Sequence, residues 1–217
     1  MNVSVKEEMI KYFETKAKRK YWLPEIGRYY PSILCQPCLK AMWNYYKMAS
    51  EQKKFPPGYL LQTGEGIVTH EIIESFKFWD KVEVPVKKIV KASDGWIKIF
   101  GRADAVLGDT VYDFKRTQRI PNKVKFQHRL QLNFYMDCLG KPKGIVCYIG
   151  YNSEGEFDVQ ERPIVLTDWY SAQIINRAIQ LHDHLRYNDP PICSCRSRRH
   201  DIEWERYLME KQKGGAK

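Results

Sequence analysis

The sequence lacks any hydrophobic segment long enough to cross a membrane as a helix. Its longest apolar stretch, residues 144–151, is far shorter than the roughly 20 residues that a membrane helix requires. This stretch is better explained as a buried strand. The N-terminal segment MNVSVKEEMIKYF carries acidic residues early and no continuous apolar run, unlike a signal peptide. We therefore expect a cytoplasmic protein that does not associate with membranes.

Cysteine is scarce, and acidic residues are outnumbered by basic ones. Six cysteines in 217 residues, in a reducing compartment, argue against a disulfide scaffold and draw attention to metal binding. The 36 Lys and Arg residues against 26 Asp and Glu residues leave a net charge of +10. Such an excess favours a polyanionic partner such as nucleic acid.

The spacing of apolar residues predicts a mixed α/β domain. Helices are predicted where the apolar spacing is helical, at residues 2–20, 38–50, 65–79, 122–139 and 167–187. Strands are predicted where apolar and polar residues alternate or an apolar run is short, at residues 82–90, 96–106, 111–115, 145–151 and 157–162. This order predicts one domain, residues 1–217, with an α/β/α core around a central mixed sheet. Residues 211–217 are expected to form a disordered tail.

Two carboxylates and a lysine fall on adjacent predicted strands. Asp113 and Lys115 are two residues apart, so their side chains project from the same face of a strand. The turn at residues 107–110 brings Asp104, on the preceding strand, alongside Asp113. Two neighbouring carboxylates require a cation, and Mg²⁺ or Mn²⁺ prefers oxygen ligands. Such a metal assists phosphodiester hydrolysis, in which the Lys115 ammonium would stabilise the developing charge.

Three further residues are predicted to lie near these groups. His70, on the inward face of its helix, would supply a nitrogen ligand, which favours Mn²⁺. Gln131 and Tyr135 are four residues apart, so they share a helix face from which they could orient Lys115 and a phosphate. Each pattern alone also has an ordinary explanation: a surface ion pair, a core histidine or a packed tyrosine. Their combination favours a metal-dependent nuclease.

Four motifs occur in the order found in RecB-like nucleases of the PD-(D/E)xK superfamily, and the sequence resembles that family. They are Gly64-x-x-x-x-x-His70, Gly101-Arg-Ala-Asp104, Asp113-Phe-Lys115 and Gln131-x-x-x-Tyr135. The resemblance covers about residues 35–195 and implies a restriction-endonuclease-like fold. It also implies that His70, Asp104, Asp113 and the carbonyl of Phe114 bind the metal. Lys115 would then be the catalytic lysine, with Gln131 and Tyr135 forming the Q-x-x-x-Y motif.

Two cysteine pairs lie near the two ends of the chain. Cys35-Gln-Pro-Cys38 and Cys193-Ser-Cys195 could close one four-thiolate site, and an isolated pattern of this kind favours zinc. Together with the nuclease motifs, the arrangement resembles the CRISPR-associated RecB-like exonucleases. That resemblance implies a [4Fe-4S] or [2Fe-2S] cluster, held by residues 1–60 and 188–210 as an elaboration of the core. The family pattern has one N-terminal and three C-terminal cysteines, whereas this chain has two and two.

The same resemblance implies a function. It implies a DNA exonuclease that degrades single strands in the 5′ to 3′ direction and acts in CRISPR spacer acquisition beside the CRISPR integrase. Aromatic residues interleaved with basic ones, as in Arg28-Tyr29-Tyr30, would suit the stacking of unpaired bases. Two alternatives stay open: a non-catalytic iron-sulfur or zinc module that binds nucleic acid, and a DNA repair nuclease outside CRISPR.

Overall fold

The computed structural model describes residues 24–48 and 57–214. The helix predicted at residues 2–20 lies outside these residues, as do residues 1–23 and 49–56 of the predicted elaboration. Within the described ranges, no helix combines the length and the hydrophobicity that would let it cross a lipid bilayer.

The chain contains both strands and helices around one sheet, which confirms the predicted mixed α/β class. The strands are β1 (Arg28–Tyr29), β2 (Lys81–Ala92), β3 (Gly95–Leu107), β4 (Thr110–Arg119), β5 (Lys143–Tyr151) and β6 (Phe157–Val165). The helices are α1 (Pro31–Leu34), α2 (Leu39–Met48), α3 (Pro57–Glu74), α4 (Phe126–Leu139), α5 (Asp168–Arg186) and α6 (Arg199–Gly214). Most predicted elements are present, but α3 begins at Pro57, earlier than predicted, because proline is well tolerated in the first turn of a helix.

The strands form one mixed sheet in which β3 is the organising strand. β2 pairs with it in antiparallel fashion along nearly its whole length. β1 pairs in parallel with β3 near Lys98. β4 pairs in antiparallel fashion with another part of β3, near Val106. β4 pairs in parallel with β5, which pairs in antiparallel fashion with β6. Since a parallel pair needs a crossover connection, α4 links β4 to β5 and lies against the sheet next to β4.

The pairing of β3 with β4 stops just where the predicted carboxylates begin. The ladder joins Leu107 to Thr110 and ends at the pair formed by Ala105 and Tyr112. In a continued antiparallel register, Asp104 would pair with Asp113. The two strands separate at this point, and the backbone groups of β4 beyond it need other partners.

Helices α4 and α5 pack on the sheet through a continuous apolar core. Buried residues from both helices and from the central strands contribute to it, among them Leu130, Phe134, Met136, Val146, Tyr148, Ile174 and Leu181. Gly144, on β5, is required for the close approach of α4, because a Cβ atom at this position would lie 2.5 Å from the Sδ atom of Met136. The helix is therefore held close to the strands that carry the candidate site.

The C-terminal part of the predicted elaboration forms a helix, α6, that packs on α2. The rings of Trp43 and Trp204 lie edge to face, with their centroids 4.4 Å apart. The predicted disordered tail at residues 211–217 was wrong in part, because residues 211–214 form the last turn of α6, and residues 215–217 lie outside the described range. The many charged residues of this segment masked an apolar face that becomes buried only against α2.

Candidate active site and metal centre

Asp113 and Lys115 lie on the same side of β4, as their spacing predicts. Lys115 Nζ donates a hydrogen bond to Asp113 Oδ1 at 2.7 Å. The Asp113 side chain is fully buried, and its second oxygen, Oδ2, has no hydrogen-bond partner among the described residues. A buried carboxylate oxygen without a partner is costly. It therefore marks a position where a cation would be stabilising.

Asp104 and His70 stand beside this carboxylate. Asp104 Oδ2 accepts a hydrogen bond from the amide of Phe114 at 2.6 Å, so it replaces the strand partner lost where β3 and β4 separate. Its other oxygen, Oδ1, lies 3.6 Å from His70 Nδ1. The other ring nitrogen of His70, Nε2, lies 2.9 Å from the carbonyl oxygen of Phe114. The structure thus brings together all four predicted metal-binding groups.

Glu74 is a member of this group that the sequence reasoning did not identify. Its Oε1 atom lies 3.7 Å from His70 Nδ1, on the same face of α3. The signal was present in the spacing, since residues four apart on a helix are neighbours. Glu74 adds a third carboxylate to the position where Asp104 and His70 meet.

The charges of the site are strongly coupled. The pKa of Asp113 is raised to about 6, chiefly by burial and also by the charge of Asp104, against the opposing effect of Lys115. Burial disfavours the ammonium of Lys115, but Asp113 and Asp104 outweigh this effect, and the pKa of Lys115 is raised. Lys115 is therefore cationic at neutral pH, and a cation next to Asp113 would keep this carboxylate ionised.

Gln131 and Tyr135 complete the site from α4. Gln131 Nε2 donates to the Tyr135 hydroxyl at 2.8 Å. Burial, followed by the charge of Asp113, raises the pKa of Tyr135 well above its usual value, so the phenol stays protonated. Tyr135 packs against Gly101 of β3, where a Cβ atom would lie only 2.6 Å from Tyr135 Cε1. The glycine of the Gly101-Arg-Ala-Asp104 motif therefore makes room for the tyrosine.

A groove of about 360 Å³ extends from Gln131 and Tyr135 along the surface. Basic and aromatic side chains share its lining, namely Arg28, Tyr30, Phe100 and Arg102. The guanidinium carbon of Arg28 lies 4.7 Å from the centroid of the Phe100 ring. The groove therefore offers both positive charge and flat ring surface next to Gln131 and Tyr135.

A second cluster of ligand atoms lies at the junction of α2 and α6. The Sγ atoms of Cys38, Cys193 and Cys195 and a ring nitrogen of His200 all lie within 4.8 Å of one another. His200 Nδ1 is 3.3 Å from Cys38 Sγ, 3.4 Å from Cys193 Sγ and 3.5 Å from Cys195 Sγ. This group is a candidate metal centre with three sulfur ligands and one nitrogen ligand.

The structure does not bring Cys35, the remaining predicted ligand, into this cluster. Cys35 is the C-cap residue of α1. Burial raises the pKa of its thiol to about 12. The charges of Lys115 and Arg177 oppose this shift, and the charge of Asp113 adds to it. It therefore lies towards the carboxylate site. His200 occupies the fourth position instead, and the available signal was its place five residues after Cys195.

No family model matches the chain, and no curated protein matches it. Among solved structures, one described as SSO0001 is 20% identical, covers 86% of this chain and 90% of its own, and has a TM-score of 0.61. The likeness supports the fold. The alkaline exonuclease LHK-Exo from Laribacter hongkongensis is 13% identical and covers 95% of this chain and 99% of its own. Its TM-score is 0.42.

Proposed function

We propose that this chain is a metal-dependent deoxyribonuclease whose active site contains Asp104, Asp113 and Lys115. One observation carries the proposal: Asp113 is fully buried, one of its oxygens is held by Lys115, and the other has no partner among the described residues. A purely structural ion pair would be expected to satisfy both oxygens. An unsatisfied buried carboxylate beside a second carboxylate and a lysine instead suits metal-assisted phosphodiester hydrolysis.

The residues present fit Mn²⁺ or Mg²⁺. His70 Nε2 and the Phe114 carbonyl oxygen are 2.9 Å apart, which is close to the roughly 3 Å between adjacent ligands of an octahedral ion with bonds of about 2.1 Å. Asp104 and Asp113 would supply the carboxylate ligands, and the imidazole of His70 favours Mn²⁺. When bound, such an ion polarises a phosphoryl oxygen and lowers the pKa of an attacking water.

The protein's own groups would position the reactants. The ammonium of Lys115, held by Asp113, would donate a hydrogen bond to the attacking water and offset charge on the phosphorane. The protonated phenol of Tyr135 and the amide of Gln131 would orient the phosphate and the lysine. Because Tyr135 is only 3% exposed and packs closely against Gly101, the phenol is held in a defined position.

The groove supports single-stranded DNA as the substrate. Arg28 and Arg102 would contact phosphates, and the rings of Tyr30 and Phe100 would stack on unpaired bases. Action from a free end, in the 5′ to 3′ direction, follows from the sequence resemblance alone. The role in CRISPR spacer acquisition, with the CRISPR integrase as a partner, has the same basis. We also propose that the chain is a single nuclease domain, to which the Cys and His cluster is an elaboration.

The proposal can be tested by digesting end-labelled single-stranded DNA with Mn²⁺, with Mg²⁺ and with a chelator. Lys115→Ala should reduce the rate by about 100-fold or more, as the loss of a positioned charge does in other active sites. Lys143→Ala is the matched control, because Lys143 forms an exposed ion pair with Asp109. Circular DNA and substrates blocked at either end would report end dependence and polarity. Wild-type protein that binds DNA but degrades none with either metal would contradict the proposal and favour the non-catalytic module.

A further inference from the structure

The Cys and His cluster joins three separate segments of the chain. Cys38 directly precedes α2, Cys193 and Cys195 lie in the loop after α5, and His200 is in the first turn of α6. All four side chains are buried or half-buried. We propose that these residues bind one zinc ion in a Cys₃His site, instead of the iron-sulfur cluster that the family resemblance implies. This inference is independent of the proposed nuclease activity.

Four distances within the cluster are close to those of a tetrahedron around one ion. Bonds of about 2.3 Å to sulfur and about 2.0 Å to nitrogen place two sulfur ligands about 3.8 Å apart and a sulfur and a nitrogen about 3.5 Å apart. Cys38 Sγ and Cys193 Sγ are 3.8 Å apart. The three distances from His200 Nδ1 to sulfur are 3.3, 3.4 and 3.5 Å. The observed spacings therefore match a mononuclear centre.

The same distances disagree with a polynuclear cluster. A [4Fe-4S] or [2Fe-2S] cluster places several irons and bridging sulfides between its protein ligands. Its ligands must therefore stand farther apart, on average, than the ligands of one ion. Here all four ligand atoms lie within 4.8 Å of one another. The fourth thiolate that the predicted cluster requires, that of Cys35, is not among the ligand atoms that meet here.

The surroundings of the cluster suit a charged, structural metal centre. Three thiolates and a neutral imidazole around Zn²⁺ carry a net charge of −1. Lys40 is only 4% exposed and stands two residues from Cys38, so its ammonium can offset that charge. Asn44 Nδ2 donates to the carbonyl oxygen of His200 at 2.7 Å. The bound ion would therefore hold α6 against α2. The free energy of metal binding would add to the free energy of folding.

The test is the metal content of the full chain, expressed with iron and zinc both supplied and purified without oxygen. We expect about one zinc per chain, no visible chromophore, and a zinc-edge absorption spectrum that fits three sulfur neighbours and one nitrogen neighbour. Cys35→Ser should keep the full zinc content, whereas Cys38→Ser should lose it. A brown protein with iron and sulfide, or a folded protein without zinc, would overturn the inference.

Two further samples keep the test decisive if Cys38→Ser does not fold. Wild-type protein reconstituted with Co²⁺ should show the intense visible bands of a tetrahedral thiolate site, and His200→Cys should shift these bands while it retains one ion per chain. Asp113→Ala should keep all of its zinc even if it has no nuclease activity. A failure of the nuclease proposal would therefore leave this result unchanged, and an absence of zinc would leave the nuclease proposal unchanged.

Discussion

The carboxylate site and the Cys and His cluster are built in different ways. The carboxylate site comes from elements that follow one another between α3 and α4, and two of its residue pairs lie on single elements: Asp113 with Lys115, and Gln131 with Tyr135. The cluster joins Cys38 to His200 across 162 positions of sequence. Regular spacing within a strand or helix makes the first arrangement readable from sequence. The second depends on how α6 docks, which local spacing does not determine.

The largest effect should come from changing Asp113, and it should be confined to activity. Asp113→Asn keeps an acceptor for Lys115 but removes a metal ligand, so we expect a loss of DNA degradation of about 100-fold or more. The melting temperature should stay within about 4 °C of wild type, which is about 1 kcal/mol for a chain of this size. Asp109→Asn, on the exposed turn before β4, is the control. A variant that keeps its activity would remove the basis of the proposed site.

Changing His200 should have the opposite pattern, with a large effect on stability. Loss of a structural ion from a site that joins α2 to α6 should destabilise the protein by about 3 kcal/mol or more. This loss corresponds to a fall in melting temperature of about 6–12 °C for His200→Ala. His184→Ala provides a histidine control outside the cluster. Equal melting curves for the two variants would show that the cluster does not stabilise the fold, and the contrast between the two sites would be lost.

Gly101→Ala should separate positioning from metal binding at the carboxylate site. The added Cβ atom would lie 2.6 Å from Tyr135 Cε1, and such overpacking costs about 1–3 kcal/mol. We expect a loss of activity of about 10-fold from displacement of Tyr135, with Mn²⁺ affinity nearly unchanged. Gly66→Ala is the matched control, because its Cβ atom would meet nothing within 4 Å. Weaker Mn²⁺ binding in Gly101→Ala alone would instead place the effect on Asp104.

The smallest effect should be a pH dependence of stability caused by His128. Burial, followed by the charges of Lys115 and Lys125, lowers its pKa from 6.5 to about 3. The unfolded chain therefore takes up a proton below about pH 6.5, whereas the folded protein resists protonation until about pH 3. Stability should fall across this window as the pH falls. His128→Gln should flatten that slope in denaturant titrations, and an unchanged slope would show that the pKa of His128 is the same in the folded and unfolded states.

How much of the candidate site could be predicted from the sequence depends on how far apart along the chain the interacting residues lie. The pairing of Asp113 with Lys115 and of Gln131 with Tyr135 depends on the periods of a strand and a helix. Glu74 lies one turn from His70, so the same reasoning could have included it. The separation of β3 from β4, which lets Asp104 bind the Phe114 amide, is not encoded in any local pattern. It becomes visible only when the register of the two strands is known.

The sequence by itself determined the mixed α/β class, the order of the elements and the residues that share a strand or helix face, because these depend on periodicity over a few residues. Only the tertiary structure decided that Cys35 stays outside the cluster and that His200 joins Cys38, Cys193 and Cys195. Cys35 and Cys38 are close in sequence, but only the thiol of Cys38 belongs to the cluster. Contact between Trp204 and Trp43 packs α6 against α2. Ligands from distant segments meet only after such packing has occurred, so their pairing depends on the whole fold.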